Sequence, residues 1–284
     1  MQTLRMVVPK GRMFEKVVTL LGEAGVPLHM AERDYRPIVG DPDITVKIMK
    51  PQNVPHLLHL GSHDIGFTGY DWLQETGADV VEIMDLGFDP VRLVAAIPND
   101  QPVDGLRERR FVAASEYERI TRRYLDEQGY DYHFVRTFGA TEVFPPDDAD
   151  LIVDNSATGR TLQKHDLTIL DEILRSSTRF VAHRAALDDP WKRERIERLR
   201  MLFASILDAR GRVMLEMNVA EELLEAIIEV LPCMRAPTVS PLYHDTGYAV
   251  KAAVKRDQAA TLIPMLSKMG ATDILEYDFR KVVI

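Results

Sequence analysis

The sequence predicts an α/β protein of about two domains that ends in a small α+β tail. Three observations carry that prediction. Short β-branched runs alternate with segments of helical apolar spacing over roughly the first 200 residues, the pattern of strands covered by helices. From Arg212 the order becomes βαββαβ, the ferredoxin-like plan of ACT-type domains. A length of 284 residues fits about two domains.

Leu4 to Val8 reads as the first strand, and Pro9-Lys10-Gly11-Arg12 leads from it into a helix reaching about Gly25. Met13, Val17, Leu20, Leu21 and Ala24 recur there at helical spacing. Such a turn can set backbone donors and a cation at an anion, and it suits a plain surface turn equally. Ile44 to Met49 is a strand, and Pro51 to Leu60 is helical despite Pro55. In the segment from Asp64 to Asp71, two glycines and Thr68 at a strand end indicate either close ligand approach or a tight turn. Strands follow at 80–86, 91–97 and 111–115, then a charged helix over 116–128 and strands at 132–137, 167–174 and 179–183. Asp188-Asp189-Pro190 offers capping acids and a first-turn proline to a helix continuing over 191–207. Its stripe of Ile196, Leu199, Phe203 and Ile206 reads as core or interface packing. In the tail, strands are expected at 213–217, 238–242, 248–254 and 273–277, with helices at 220–231 and 257–269.

A net charge of −9 argues against a general nucleic-acid or anionic-membrane binder. The single cysteine, Cys233, permits no internal disulfide, as expected in a reducing cytosol. No uncharged run is long enough to span a bilayer, and the start MQTLRMVVPKGR lacks an apolar signal core, so a cytoplasmic protein is expected. His56, His59 and His63 lie near one another without a metal-ligand pattern, which favours a solvated helix face.

The stretch richest in chemistry is Ala149 to Leu162, ADLIVDNSATGRTL. Leu151-Ile152-Val153 is a buried strand ending at Asp154. Asn155, Ser156, Ala157, Thr158, Gly159, Arg160 and Thr161 follow, nearly all small or polar. Small side chains let backbone N–H groups converge, Gly159 tolerates φ > 0, and hydroxyls add donors, so the loop can cradle an anion. Asp154 at its mouth suits ribose hydroxyls. The alternative from residues alone is an ordinary capped strand-to-helix connection.

The pattern D-x-x-x-T-G-x-T-L resembles the phosphoribosyl-pyrophosphate (PRPP) loop of phosphoribosyltransferases, without the paired acids of the common type. It is closest to the ATP phosphoribosyltransferase family, which opens histidine biosynthesis. That family has an upstream Glu, an A-D-x-I-x-D strand and a [ST]-G-x-T-[LM] loop, matched here by Glu142, Ala149 to Asp154 and Thr158 to Leu162. Asn155 stands where an aliphatic residue is usual, and Pro145-Pro146 and Asp148 occupy a spacer that usually holds a Gly. Asp64 to Asp71 resembles the family's D-x-G-[IF]-T-G-x-D, and Thr121 to Leu125 its T-R-R-Y-L; Arg122 and Arg123 fit a solvated face equally. Ala236 to Leu242 resembles the S-P-T-[IV]-[AS]-P-L of the long form.

The resemblance implies a two-lobed, periplasmic-binding-protein-like catalytic core. Lobe I would hold residues 1–90 and be rejoined by about 180–208, and lobe II residues 91–179, with crossings near Gly87–Val91 and Arg179–Arg184. An ACT-like regulatory domain would span 209–284. Asp154 and Glu142 would be catalytic, and residues 155–161 would bind PRPP. Lys10, Gly11, Arg12, Gly66, Thr68, Asp71 and Tyr117 would face ATP or polyphosphate. Asn218, Thr238 and Ser240 would hold an inhibitory histidine. Mg²⁺ would be the cofactor, carried by substrate with no residue assigned to it directly, and the assembly would be a homo-oligomer, a hexamer of dimers. A two-lobed solute-binding or sensor protein and a phosphoribosyltransferase for another base are the competing readings.

Overall fold

The computed structural model describes residues 2–30, 35–244 and 246–284. Residues 1–196 form one compact unit and 197–284 a second. The first unit opens with β1 (Leu4–Pro9), α1 (Phe14–Glu23), β2 (Leu28–His29), β3 (Ile38–Val39), β4 (Ile44–Met49), α2 (Asn53–His59), β5 (Ile65–Gly69), α3 (Tyr70–Thr76) and β6 (Val81–Asp85). The chain then crosses into β7 (Val91–Pro98), α4 (Gly105–Glu108), β8 (Phe111–Ser115), α5 (Glu118–Glu127), β9 (Tyr132–Arg136), β10 (Leu151–Ser156), α6 (Arg160–Lys164) and β11 (Leu167–Ser176). It returns through β12 (Thr178–Ala182) to α7 (Arg184–Asp188) and α8 (Pro190–Arg210).

Two five-stranded sheets result, ordered β4-β1-β5-β12-β6 and β11-β7-β10-β8-β9. This is the two-lobed plan crossed twice that the resemblance implies. Leu4, Met6, Val7 and Val8 are all fully buried because helices cover both faces of a parallel strand, which is why β1 reads as a continuous apolar run. The second crossing lies at Ser177, ahead of the expected 179–184. Phe180, Val181 and Ala182 are fully buried between β5 and β6, so the return strand already belongs to the first lobe. Its apolar run announces a strand without saying which sheet it joins.

The lobes are tied by α3. It follows a strand of the first lobe, yet Trp72 packs in the second lobe's core and stacks on Tyr117 with ring centroids 4.5 Å apart. Glu75 accepts from the backbone N–H groups of Arg119 and Ile120, each at 3.1 Å, and so caps α5 from the opposite lobe.

The start of α8 is built as its sequence implies. Asp189 Oδ1 accepts from the N–H groups of Trp191 (2.9 Å) and Lys192 (3.1 Å), and Pro190, which has no N–H, follows it as the first helical residue. Lys192 and Arg5 both reach the buried Asp64 carboxylate, at 2.8 and 3.0 Å. The stripe Ile196, Leu199, Phe203 and Ile206 is buried within the chain itself, so it offers no surface to a second copy.

The second unit continues with β13 (Arg212–Val219), α9 (Leu224–Val230), β14 (Thr238–Pro241), β15 (Tyr248–Lys255), α10 (Arg256–Lys268) and β16 (Thr272–Asp278). Its antiparallel sheet has the order β14-β15-β13-β16, the ferredoxin-like arrangement. Alternate residues Val213, Leu215, Met217 and Val219 bury one face against Ile227, Leu262 and Leu266. Among the described residues, no helix is long and apolar enough to cross a membrane.

Burial pushes the Asp64 carboxyl up, but hydrogen bonds from Arg5 and Lys192 outweigh it and hold the group below its ordinary value. Asp64→Ala is expected to cost about 2–3 kcal/mol in urea unfolding at pH 7, since it strands two cations. The gap to wild type should narrow below about pH 4, where the wild-type carboxylate protonates and its contribution is lost.

Candidate functional site

Parallel β8, β9 and β10 end on one edge of the second sheet, and their carboxyl ends deliver Glu116, Thr137 and Asn155 to the same cleft. The first lobe contributes Arg12 from the turn after β1, Gln52 from beyond β4 and Asp71 from beyond β5. Ligands in open α/β sheets bind at such strand ends. Three adjoining cavities of about 380, 320 and 460 Å³ occupy the cleft, and Glu116 lines all three.

The 380 Å³ cavity is walled by the whole stretch from Asp154 to Leu162, with Glu142, Glu116 and Arg12 opposite or beside it. Gly159 has φ +78, a left-handed turn that a side chain would strain. Ser156 Oγ accepts from the Gly159 N–H at 2.9 Å and holds the loop closed on itself. Ala157, Thr158, Arg160 and Thr161 are exposed along its rim. Glu142 arrives on a 3-10 turn, Thr141–Val143, entered through Ala140 at φ +51 and following Gly139 at φ +105. The spacer that follows contains a cis Pro145–Pro146 bond.

Asp154 has its pKa raised to about 7. Burial is the main cause, and repulsion from Glu142 and Glu116 adds to it, while the Asn155 N–H, donating at 2.7 Å, opposes it. A carboxyl poised near neutrality beside two further acids favours a ligand that brings positive charge with it.

Beside this cavity runs a buried hydrogen-bond chain. Tyr117 OH donates to Asp71 Oδ2 at 2.7 Å and accepts from Asn155 Nδ2 at 3.2 Å. Ser176 Oγ donates to Asp71 Oδ1 at 2.7 Å, and accepts from the Asp71 N–H at 3.0 Å. Burial and the Asp71 charge push the Tyr117 phenol well up, so it stays a donor. Asp71 and Tyr117 thus line the 320 Å³ cavity while also joining the lobes.

Four of the residues expected to face nucleotide, Lys10, Gly11, Gly66 and Thr68, line none of these cavities. Lys10 places its ammonium 5.6 Å from the Tyr35 ring centroid, and Arg12 is the cation of that turn in the cleft. Gly11, at φ +85, makes the turn that separates the two. Gly66 lies in the core, where an added Cβ would meet Val54 Cγ1 at 2.9 Å and Val7 O at 3.1 Å; packing of strand on helix explains this glycine. Thr68 is fully buried and donates to Pro51 O at 3.1 Å, so it braces the wall from behind. Sequence reasoning assigned no role to Glu116, Gln52 or Trp72. Glu116 was findable, because it directly follows a strand parallel to the one that ends in the phosphate-type loop.

In the tail, Ser240 pairs with Ala249, which pairs on its other side with Asn218, so both side chains share the sheet face away from the helices. Thr238, two residues along β14, lies on that face too. Asn218 Nδ2 donates to Asp273 Oδ2 at 2.9 Å. Among the described residues, no group of three His, Cys, Asp or Glu side chains is placed to hold a metal ion.

A family profile described as ATP phosphoribosyltransferase matches residues 50–205, and one described as HisG, C-terminal domain matches 209–281. ATP phosphoribosyltransferases from Chlorobium phaeovibrioides and Desulforudis audaxviator are 39% and 40% identical to this chain, over 99% of it and 98% and 99% of themselves. A solved ATP phosphoribosyl transferase (HisG:HisZ) complex from Thermotoga maritima superposes with a TM-score of 0.64 at 30% identity, covering 71% of this chain and 99% of that one.

Asp154→Asn should raise the melting temperature more at pH 8 than at pH 4. With a folded pKa near 7 against about 4 unfolded, wild type loses stability as pH rises through that window, and Asn does not. A shift equal at both pH values would contradict the raised carboxyl.

Proposed function

The chain belongs to the ATP phosphoribosyltransferase family, and on that premise we propose that it joins N1 of the adenine ring of ATP to C1 of the PRPP ribose. The products are phosphoribosyl-ATP and pyrophosphate, and the step is the first of histidine biosynthesis. The observation that carries this reading is one cavity holding Asp154, Glu142 and the entire 155–161 loop.

Residues 155–161 hold the 5-phosphate with backbone N–H groups and the Thr158 and Thr161 hydroxyls. Asp154 accepts from the ribose hydroxyls, and Glu142 stands beside it. Adenine N1 already carries a lone pair, so attack needs no prior proton removal. The barrier lies in breaking the bond from C1 to pyrophosphate through an oxocarbenium-like sugar, which positioning and charge stabilisation lower. Mg²⁺ carried by the pyrophosphate would supply charge neutralisation to the leaving group, with no residue of the chain assigned to hold it. Arg12 faces polyphosphate from the first lobe. Asp71 and Tyr117 act by setting the cleft, with Gly11 shaping the turn that presents Arg12.

The tail supplies feedback inhibition by histidine, held by Asn218, Thr238 and Ser240 on the open sheet face. The exposed β14 edge offers pairing for a homo-oligomer, a hexamer of dimers. Inhibition follows if histidine favours one quaternary state over another. A cytoplasmic location goes with this biosynthetic role.

Mixing the protein with ATP, PRPP and Mg²⁺ should yield phosphoribosyl-ATP by mass spectrometry; no product under any condition would overturn the assignment. Asp154→Ala and Thr158→Ala should each lower turnover at limiting PRPP by at least about a hundredfold while circular dichroism stays unchanged, the scale of losing electrostatic or positioning groups. Millimolar histidine should inhibit the full-length enzyme, and Ser240→Ala should weaken that inhibition. An enzyme indifferent to histidine would remove the regulatory role and leave the catalytic one.

A further inference from the structure

We propose that the 460 Å³ cavity receives the adenine base of the acceptor nucleotide, with the Phe138 ring over its face and the Gln52 carboxamide reading its 6-amino edge. The inference rests on ATP being the acceptor.

Phe138 lines this cavity and is 89% exposed, an aromatic ring left unpacked by the rest of the chain. The backbone turns sharply just past it, through the two left-handed residues Gly139 and Ala140, and the next residues, through Glu142, wall the 380 Å³ cavity. One short loop therefore presents an aromatic face to one cavity and a carboxylate to its neighbour. Trp72, 8% exposed, supplies a second aromatic surface in the same wall. A planar base laid against Phe138 would bury that ring, as bases do on the aromatic platforms of nucleic-acid-binding proteins.

Gln52 supplies the polar half. Its Oε1 is buried and accepts no hydrogen bond. A buried carbonyl oxygen without a donor is uncommon, and it marks a place where a ligand donor belongs. Gln52 lines both the 460 and the 320 Å³ cavities, as Trp72 and Glu116 do. A carboxamide reads adenine by accepting from N6 and donating to N7. That edge leaves N1 unoccupied, as its use as the nucleophile demands. Attack through N1 places positive charge on the ring and makes the N6 protons better donors. The bond to Gln52 Oε1 then strengthens as the transition state forms, which raises turnover as well as binding. Lys50 and Arg136 on the same wall suit the nucleotide's phosphates.

Steady-state kinetics and equilibrium binding test this together. Phe138→Ala should raise the KM for ATP about tenfold, within the range of base–aromatic stacking, with the KM for PRPP within about twofold of wild type. Phe138→Tyr should restore the wild-type value. In equilibrium dialysis, wild type should bind ATP about tenfold more tightly than purine riboside triphosphate, which lacks the 6-amino group, and Gln52→Ala should bind the two alike. Unchanged ATP KM in Phe138→Ala, or equal binding of the two nucleotides by wild type, would overturn the proposal while leaving the phosphoribosyl transfer intact. A wild type that binds ATP but forms no phosphoribosyl-ATP would overturn the transfer, and the dialysis would still decide the adenine site.

Discussion

The docking of α3 onto the second lobe is the constraint on which the cleft depends. The chain passes between lobes only twice, and two backbone crossings alone would leave the angle between them free. Asp71, Trp72 and Glu75 remove that freedom in three different ways. Asp71 takes hydroxyl donors from Tyr117 and Ser176, Trp72 stacks on Tyr117 inside the other lobe's core, and Glu75 caps α5. Aromatic pairs and helix caps each contribute about 1 kcal/mol. Their common location matters more than their sum, because all three register the same helix. Asn155, the first residue of the phosphate-type loop, hangs from this junction through Tyr117 OH. Placement of the loop and placement of the lobes are therefore one problem.

The electrostatics of the cleft explain why so acidic a chain can carry a phosphate site. The loop after β10 offers neutral donors, and three acids near enough to repel one another, Asp154, Glu142 and Glu116, line the same cavity. On the proposed reading, phosphate meets backbone N–H groups, while the carboxylates meet hydroxyls and the cation travelling with pyrophosphate. Segregation of that kind is local, and the overall charge of −9 says nothing about it.

Much of this was legible in the residues. The apolar runs of β1, β8 and β10 are buried on both faces, and such strands need no partner information to be recognised. The acid-plus-loop stretch was visible because glycine and small hydroxyl residues have few other reasons to cluster after a strand. What stayed hidden were relations between distant segments. Gly66 and Thr68 look like ligand-contacting residues in a line of text, and only the packing of Val54 and Val7 shows that the first is a close-approach glycine and the second a brace for Pro51. Lys10 and Arg12 are two residues apart, and the left-handed Gly11 sends one to Tyr35 and the other to the cleft. The cap from Glu75 to α5 spans more than 40 positions and leaves no local trace.

The two crossings are of unequal length: residues 86–90 separate β6 from β7, whereas Ser177 alone separates β11 from β12. Ser177 is also held, donating from Oγ to Asp85 and accepting at its carbonyl from the Tyr70 N–H. A one-residue tether cannot stretch, so the lobes have no sliding coordinate. Any widening of the cleft is a swing about an axis near Ser177, with the longer crossing absorbing the change in backbone angle.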